Sequence, residues 1–251
     1  MARKNIVFEA PVYTLEAALN AVQHGVDRLE LCADFGEGGT TPSAGLLKEI
    51  KRQVDVPVFV MIRCRGGDFL YSDSELEIMR TDIGILSAHG ADGFVFGILA
   101  SSGEVNREAC ARLIQAAEGK PCTFHRAFDL VPDKKTALET IIGLGFERIL
   151  TSGGAPTVSA GFDMIKKLNI WAKDRIIILP GGGLKPADLP RLNQYGALEE
   201  VHSSCKQFRN STMDLPDTGL KLSLIKEMEG KVLTVDPQLV RSFRAILDEL
   251  G

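Results

Sequence analysis

Short apolar runs rich in β-branched and aromatic residues alternate along this chain with longer stretches whose apolar positions recur at helical spacing. The runs predict strands at 6–9, 28–32, 58–63, 93–98, 122–128, 148–152, 176–180 and 199–203. The periodic stretches predict helices at 15–23, 44–53, 74–88, 107–117, 134–144, 160–172, 186–194 and 237–250. Four helices run into the next strand through a glycine and a short link: Gly25-Val26-Asp27, Gly90-Ala91-Asp92, Gly145-Phe146-Glu147 and Gly196-Ala197-Leu198-Glu199. Glycine accepts the left-handed conformation that ends a helix, so the recurrence reads as a structural repeat. Strand–helix alternation implies right-handed crossovers and a parallel sheet. Eight such units close most simply into a (β/α)8 TIM barrel, read as one α/β domain over residues 1–251. A doubly wound open sheet is the alternative, but no G-x-G-x-x-G follows the first strand. The rhythm breaks once, at about 206–236, where so long a connection is either a lid, binding loop or extra helix, or an ordinary surface excursion.

Alternate residues of a barrel strand face the interior. That parity sends Glu30 and Cys32 inward and Leu29 and Leu31 toward the helices. It places Val7 with Glu9, Phe59 with Met61 and Arg63, Thr123 with His125, and Glu200 with His202 and Ser204. The distal members gather at the C-terminal mouth, where barrel active sites are built. They are Glu9, Glu30, Cys32, Arg63, His125 and His202. Buried charges must compensate one another, so this set is either a plug of ion pairs or a catalytic cluster in which Glu9, Glu30, Arg63 and His125 do the chemistry. Histidine titrates near neutral pH and suits general acid–base work.

The loops at the same end add an anion-binding set: Arg65, Asp68, Arg126, Ser152, Gly153, Gly181, Gly182, His202 and Ser203. A guanidinium grips a carboxylate or phosphate bidentately, and glycine turns such as Ser152-Gly153-Gly154 and Gly181-Gly182-Gly183 expose N–H groups in anion-binding concavities. Barrels often bind phosphate in such loops. Alternatively Arg65 pairs with Asp68 inside a capped turn, with Ser72 or Asp73 capping the next helix.

Charge narrows the partners. Lys and Arg number 29 against 33 Asp and Glu, a net charge of −4, which argues against a nucleic-acid partner. No apolar run approaches the ~18 residues of a membrane span, and the N-terminus turns acidic at Glu9 before any long apolar core, so neither a membrane nor a secretory signal is expected. The five cysteines are scattered without C-x-x-C spacing. Neither a disulfide framework nor a zinc ribbon follows, and a reducing cytoplasm fits best.

Six ordered blocks carry a resemblance: Arg28-Leu29-Glu30-Leu31-Cys32, the run from Glu37 to Ser43, the run from Arg63 to Asp73, Thr123 to Asp129, Leu150-Thr151-Ser152-Gly153, and Val201-His202-Ser203-Ser204. Together they resemble the CutC family of copper homeostasis proteins, from the first strand to about Asn210. The resemblance implies a cytoplasmic (β/α)8 barrel, a homo-oligomer, and copper handling with cysteines as Cu(I) ligands. By position it makes Cys32 the metal-ligand candidate, with His125 and His202 as possible helpers. The chain departs from the family pattern where a second cysteine is common after the first-strand glutamate: it reads Phe8-Glu9-Ala10, and Cys64 stands where proline is usual. Two functions compete. The resemblance favours a Cu(I)-binding copper homeostasis protein, whereas the polar mouth favours a TIM-barrel enzyme acting on a small anionic or phosphorylated metabolite. A partner-binding scaffold without chemistry is the third possibility.

Overall fold

Strands and helices succeed one another in the predicted order. The computed structural model describes residues 6–194, 198–213 and 228–251. The parallel strands are β1 (Val7–Val12), β2 (Arg28–Leu31), β3 (Val58–Met61), β4 (Gly93–Phe96), β5 (Cys122–Phe124), β6 (Arg148–Thr151), β7 (Ile177–Pro180) and β8 (Glu200–His202). They alternate with α1 (Leu15–Gln23), α2 (Ala44–Lys51), α3 (Asp73–Ala88), α4 (Arg107–Ala116), α5 (Lys134–Leu144), α6 (Val158–Ala172), α7 (Leu189–Gln194) and α8 (Pro237–Leu250). Neighbours pair in parallel from β7 through β1 to β8. β7 and β8 then pack side by side and complete the (β/α)8 ring without a ladder between them.

The local chemistry explains the boundaries. Thr14, Ser43, Ser72, Asn106, Asp133, Thr157 and Asp236 each precede a helix and accept an N–H of its first turn. Ser72 is the cap before α3, and Glu75 reaches back to complete the capping box. Gly145 ends α5 at φ 87°, as its joint predicts, whereas Gly196 and Ala197 lie outside the described residues.

Several expected elements are shorter: β3 and β4 each end two residues earlier than expected, α2 ends at Lys51, and two differences have a clear local cause. β5 ends at Phe124 instead of 128, because His125 Nδ1 accepts the Ala127 N–H at 3.3 Å and turns Arg126–Leu130 into a tight helical turn. The helix expected over 186–194 begins as a tighter turn, Pro186–Asp188, because Pro190 has no N–H to return to the Pro186 carbonyl. The long connection supplies β9 (Lys206–Asn210) and β10 (Lys231–Val235), an antiparallel hairpin; residues 214–227 of that connection lie outside the described residues. The hairpin rests on α1, where Arg209 meets Glu16 at 2.7 Å.

Two cores result. The larger lies between strands and helices and holds Leu29, Leu31, Phe94, Phe96 and Phe124, all fully buried. Each buried leucine contributes about 2 kcal/mol. The inner core is small and mostly charged. Register sets Glu9 level with Arg28 and His202, and Thr123 level with Arg148. Arg148 Nε donates to Glu200 at 3.1 Å, Arg28 donates to the same Glu200 oxygen, and Arg28 Nε donates to Glu9 at 2.5 Å. The Phe59 ring packs against both guanidiniums, each 4.9 Å from its centroid. Two carboxylates thus face two guanidiniums in a space closed to water. Removing one carboxylate leaves buried cations uncompensated. Glu200→Gln is expected to lower stability by about 3–5 kcal/mol in urea unfolding. A loss below about 1 kcal/mol would show that Glu200 does not hold the arginines together.

Candidate active site

The charge chain continues upward to the C-terminal mouth. Glu9 is fully buried; one oxygen accepts from Arg28 and the other from His202 Nδ1 at 2.7 Å. The opposite ring nitrogen, Nε2, lies 3.8 Å from Glu30. The two glutamates differ in proton affinity. Burial would raise Glu9, but Arg28 and His202 outweigh it and hold the carboxyl at about 2. Burial dominates at Glu30 and, with Glu9 nearby, lifts it to about 7 against the pull of His202. Burial opposes charge on His202, yet Glu30 and Glu9 keep its pKa above the ordinary value. Glu30 and His202 therefore share protons near neutral pH, over a Glu9 that stays ionised.

His125 stands on the other side of this chemistry. Burial, reinforced by Arg63, pushes its pKa down to about 3. The ring is neutral, and the Ala127 N–H on Nδ1 leaves its one proton on Nε2. Arg63 is buried as well. It donates to the carbonyls of Glu37 (2.5 Å), Gly39 (3.0 Å) and Gly67 (2.8 Å), clamping the loops after β2 and β3 over the mouth. Its guanidinium packs on Phe69, whose ring meets His125 at 4.8 Å.

Glu30, Arg63, His125, Arg126 and His202 line one cavity of about 230 Å³, together with Tyr13, Met61, Phe69 and Leu150. Arg126 forms its rim, paired with Asp129 (2.8 Å) and Ser152 (2.9 Å) and lying over Gly182, where a Cβ would come within 2.9 Å of the guanidinium carbon. A Cβ at Gly181 would approach His202 Cβ at 3.0 Å, so that glycine makes room for the histidine.

The other expected site residues lie elsewhere. Arg65 pairs with Glu75 and Asp68 and donates to the Leu70 carbonyl, so it braces its own loop; neither Arg65 nor Asp68 lines the cavity. The turn after β6 holds an internal anion. Asp129 accepts from Thr151 Oγ1 (2.5 Å), from Ser152 N and Oγ, and from Gly154 N, while Gly153 N donates to Thr151. Ser203 is buried and donates to the Leu184 carbonyl. Cys32 lies beneath Gly39, where a Cβ would come within 3.3 Å of Sγ. Burial and Glu30 keep its pKa well above the ordinary thiol value, so it is a neutral thiol.

Sequence parity missed some participants although the signal was present. Arg28 precedes Glu30 by two residues, and Arg148 precedes Leu150 and Ser152 by two and four, so both face inward. Tyr13, Phe69 and Asp129 sit beyond the strands predicted at 6–9, 58–63 and 122–128, so parity was not applied to them.

Glu9, Glu30 and His202 each bring a ligand atom within 4.8 Å of the others, the geometry of a cation site. Glu9 and His202 are bonded to one another, however, and Glu9 also to Arg28. The two carboxylates are hard and the imidazole is borderline, whereas Cu(I) favours sulfur. Three of the other four thiols have partners of their own: Cys110 with the Ile98 carbonyl, Cys122 with the Lys120 carbonyl, Cys205 with Ser203.

The neutral state of His125 makes stability depend on pH. The unfolded ring gains a proton near 6.5 and the folded ring only near 3. Stability is therefore lost as pH falls below about 6.5. Between pH 7 and pH 5 the wild type is expected to lose about 2 kcal/mol relative to His125→Gln in urea unfolding. Parallel pH profiles would mean a ring that charges freely in the folded state.

Comparison with known proteins gives this arrangement a lineage. Residues 6–207 match the model of the CutC family. The human copper homeostasis protein cutC homolog is 43% identical over 246 residues, 98% of this chain and 90% of its own length. The family protein CutC of Histophilus somni is 39% identical over 241 residues, 96% of this chain and 99% of its own. The solved structure of CutC from Streptococcus agalactiae superposes with a TM-score of 0.75 at 35% identity, covering 79% of this chain and 98% of that one. Matched along most of its length in both sequence and fold, this chain belongs to the CutC family.

Proposed function

We propose that the mouth of this barrel is an acid–base site for a small anionic metabolite, in a protein that serves copper homeostasis as the names of its relatives have it. One observation carries the reading: two buried glutamates flank one buried histidine, and only Glu30 and His202 of the three open onto the cavity. A structural plug needs compensated charge; it does not need a carboxyl left to face a cavity beside a neutral histidine. Arg126 at the rim supplies the cation for an anionic substituent, and Arg63 keeps the enclosing loops in place. The unpaired thiols fit the reducing cytoplasm. Among the described residues no helix is long and apolar enough to cross a membrane. Assembly with copies of itself belongs to the same proposal, and the exposed Ile78 and Ile85, seven apart on α3, offer apolar surface for it.

A thermal-shift screen with phosphate, oxalate and small phosphorylated and carboxylated metabolites tests this reading. A ligand at about one hundred times its Kd is expected to raise Tm by about 5–10 °C, and Arg126→Met is expected to remove most of that gain. A flat screen would exclude an anion site at the mouth.

The second reading is Cu(I) as cargo at Cys32. Its support is the packing of the Cys32 thiol with Met61 in the inner core, where a Cβ at Gly39 would lie 3.3 Å from the cysteine sulfur and 3.5 Å from the methionine methyl. Soft thiol and thioether ligands favour Cu(I), and binding would displace the thiol proton. Anaerobic titration with Cu(I) is expected to show stoichiometric binding that Cys32→Ala abolishes. Unchanged binding in that variant would remove Cys32 from any copper site.

A further inference from the structure

Three buried polar atoms of residues that line the cavity, Arg63 Nε, His125 Nε2 and Glu30 Oε1, have no hydrogen-bond partner among the described residues; Arg63 spends its other two nitrogens on loop carbonyls, and the latter two atoms are left for a ligand. A buried polar atom left unpaired destabilises the empty site. The cost is removed when a ligand brings the complementary group.

Each atom specifies its complement. His125 Nε2 bears the ring's single proton, since Nδ1 accepts the Ala127 N–H at 3.3 Å. It is a neutral donor in a fixed direction. Phe69 packs against one side of the ring at 4.8 Å, and Gly97 yields space on another, where a Cβ would lie 2.6 Å from Nδ1. Arg63 acts on the same ring electrostatically. A neutral N–H in a dry pocket, backed by a nearby guanidinium, suits an oxygen that is uncharged in the ground state and gains charge during reaction. A carbonyl oxygen has that property. Glu30 Oε1 accepts a hydrogen, from a donor group or as a transferred proton. The cavity of about 230 Å³ accommodates a ligand of roughly eight to ten non-hydrogen atoms.

We propose that His125 Nε2–H holds the oxygen of a carbonyl substrate and that Glu30 moves a proton at the carbon beside that carbonyl. This rests on the acid–base reading above and narrows its substrate to a small enolisable carbonyl compound with an anionic end for Arg126. In the step, the Glu30 carboxylate takes the proton from the adjacent carbon, and the C–H electron pair becomes the C=C bond. The C=O pair moves onto oxygen, which His125 stabilises as an enolate without surrendering its proton. Return of the proton from Glu30 restores the carbonyl compound. No oxidant, reductant or co-reactant is required.

The test is proton exchange in D2O, followed by proton NMR, with dihydroxyacetone phosphate, glycolaldehyde phosphate and pyruvate as probes. The wild type is expected to accelerate loss of the signal beside the carbonyl at least about 100-fold over buffer for one of the three. Glu30→Gln is expected to abolish the acceleration, and so is Glu30→Asp, a smaller change that withdraws the carboxyl while melting near the wild-type temperature. His125→Gln, which can keep an N–H donor, should retain more exchange than His125→Ala. Exchange at the buffer rate for all three probes, or exchange that survives Glu30→Gln, overturns the proposal. Oxalate, planar like an enolate, separates it from the broader reading. If oxalate stabilises wild type and His125→Ala equally while no probe exchanges, the anion site stands and the carbonyl pocket falls. If neither oxalate nor any anion in the screen stabilises the wild type, both fall together.

Discussion

Charge compensation in a dry barrel interior is the constraint on which the rest of this molecule depends. Arg28 and Arg148 enter from opposite strands and meet on Glu200, with Phe59 against both guanidiniums. Arg28 also reaches Glu9, and Glu9 fixes the His202 ring. An ion in this space without its partner would cost several kcal/mol, so each member determines the position of the next. The string runs from the barrel floor, where Arg148 meets the half-exposed Glu147 at 3.0 Å, to Glu30 at the mouth. The barrel thus transmits electrostatic order to the end where ligands enter.

The mouth uses that order. Because Arg28 already holds Glu9 ionised, the proton shared at the top belongs to Glu30 and His202. Across the string, His125 is kept neutral by burial and by Arg63, and Arg63 in turn is held by three backbone carbonyls of the loops it closes. Similar residue types therefore take different proton states a short distance apart, through their neighbours alone. The aromatic run from Tyr13 to Phe35 and on to Phe208, with Lys206 over Phe35, ties the loop after β2 to the β9–β10 hairpin. The long connection after β8 thereby buttresses one wall of the mouth. The CutC lineage names copper, whereas the groups facing the cavity are mainly oxygen and nitrogen donors with Met61 as the sulfur-bearing exception. A copper role through this mouth would pass through Cys32 and Met61, below and beside the acid–base groups.

Much of this was legible in the chain. Alternating strand and helix patterns, the cap at Ser72 and the glycine joints prescribe a (β/α)8 barrel, because helix ends and strand burial are decided locally. Strand parity brought Glu9, Glu30, Arg63, His125 and His202 to one end, since side chains in a strand alternate whatever their partners. It applied equally to Arg28 and Arg148, which open β2 and β6 with the parity of Glu30 and Leu150.

What the sequence by itself determined was the ring and the face on which each strand residue points. Tertiary structure alone decided which charges pair and which atoms stay unpaired. Arg65 and Arg63 look alike in the chain, yet one braces its own loop and the other holds two loops over the cavity. Ser152 and its glycines resemble a phosphate cradle, yet Asp129, more than twenty residues earlier, fills it. Periodicity is a property of neighbours along the chain, whereas pairing and proton affinity depend on distances between residues far apart in it, and those exist only once the barrel has closed.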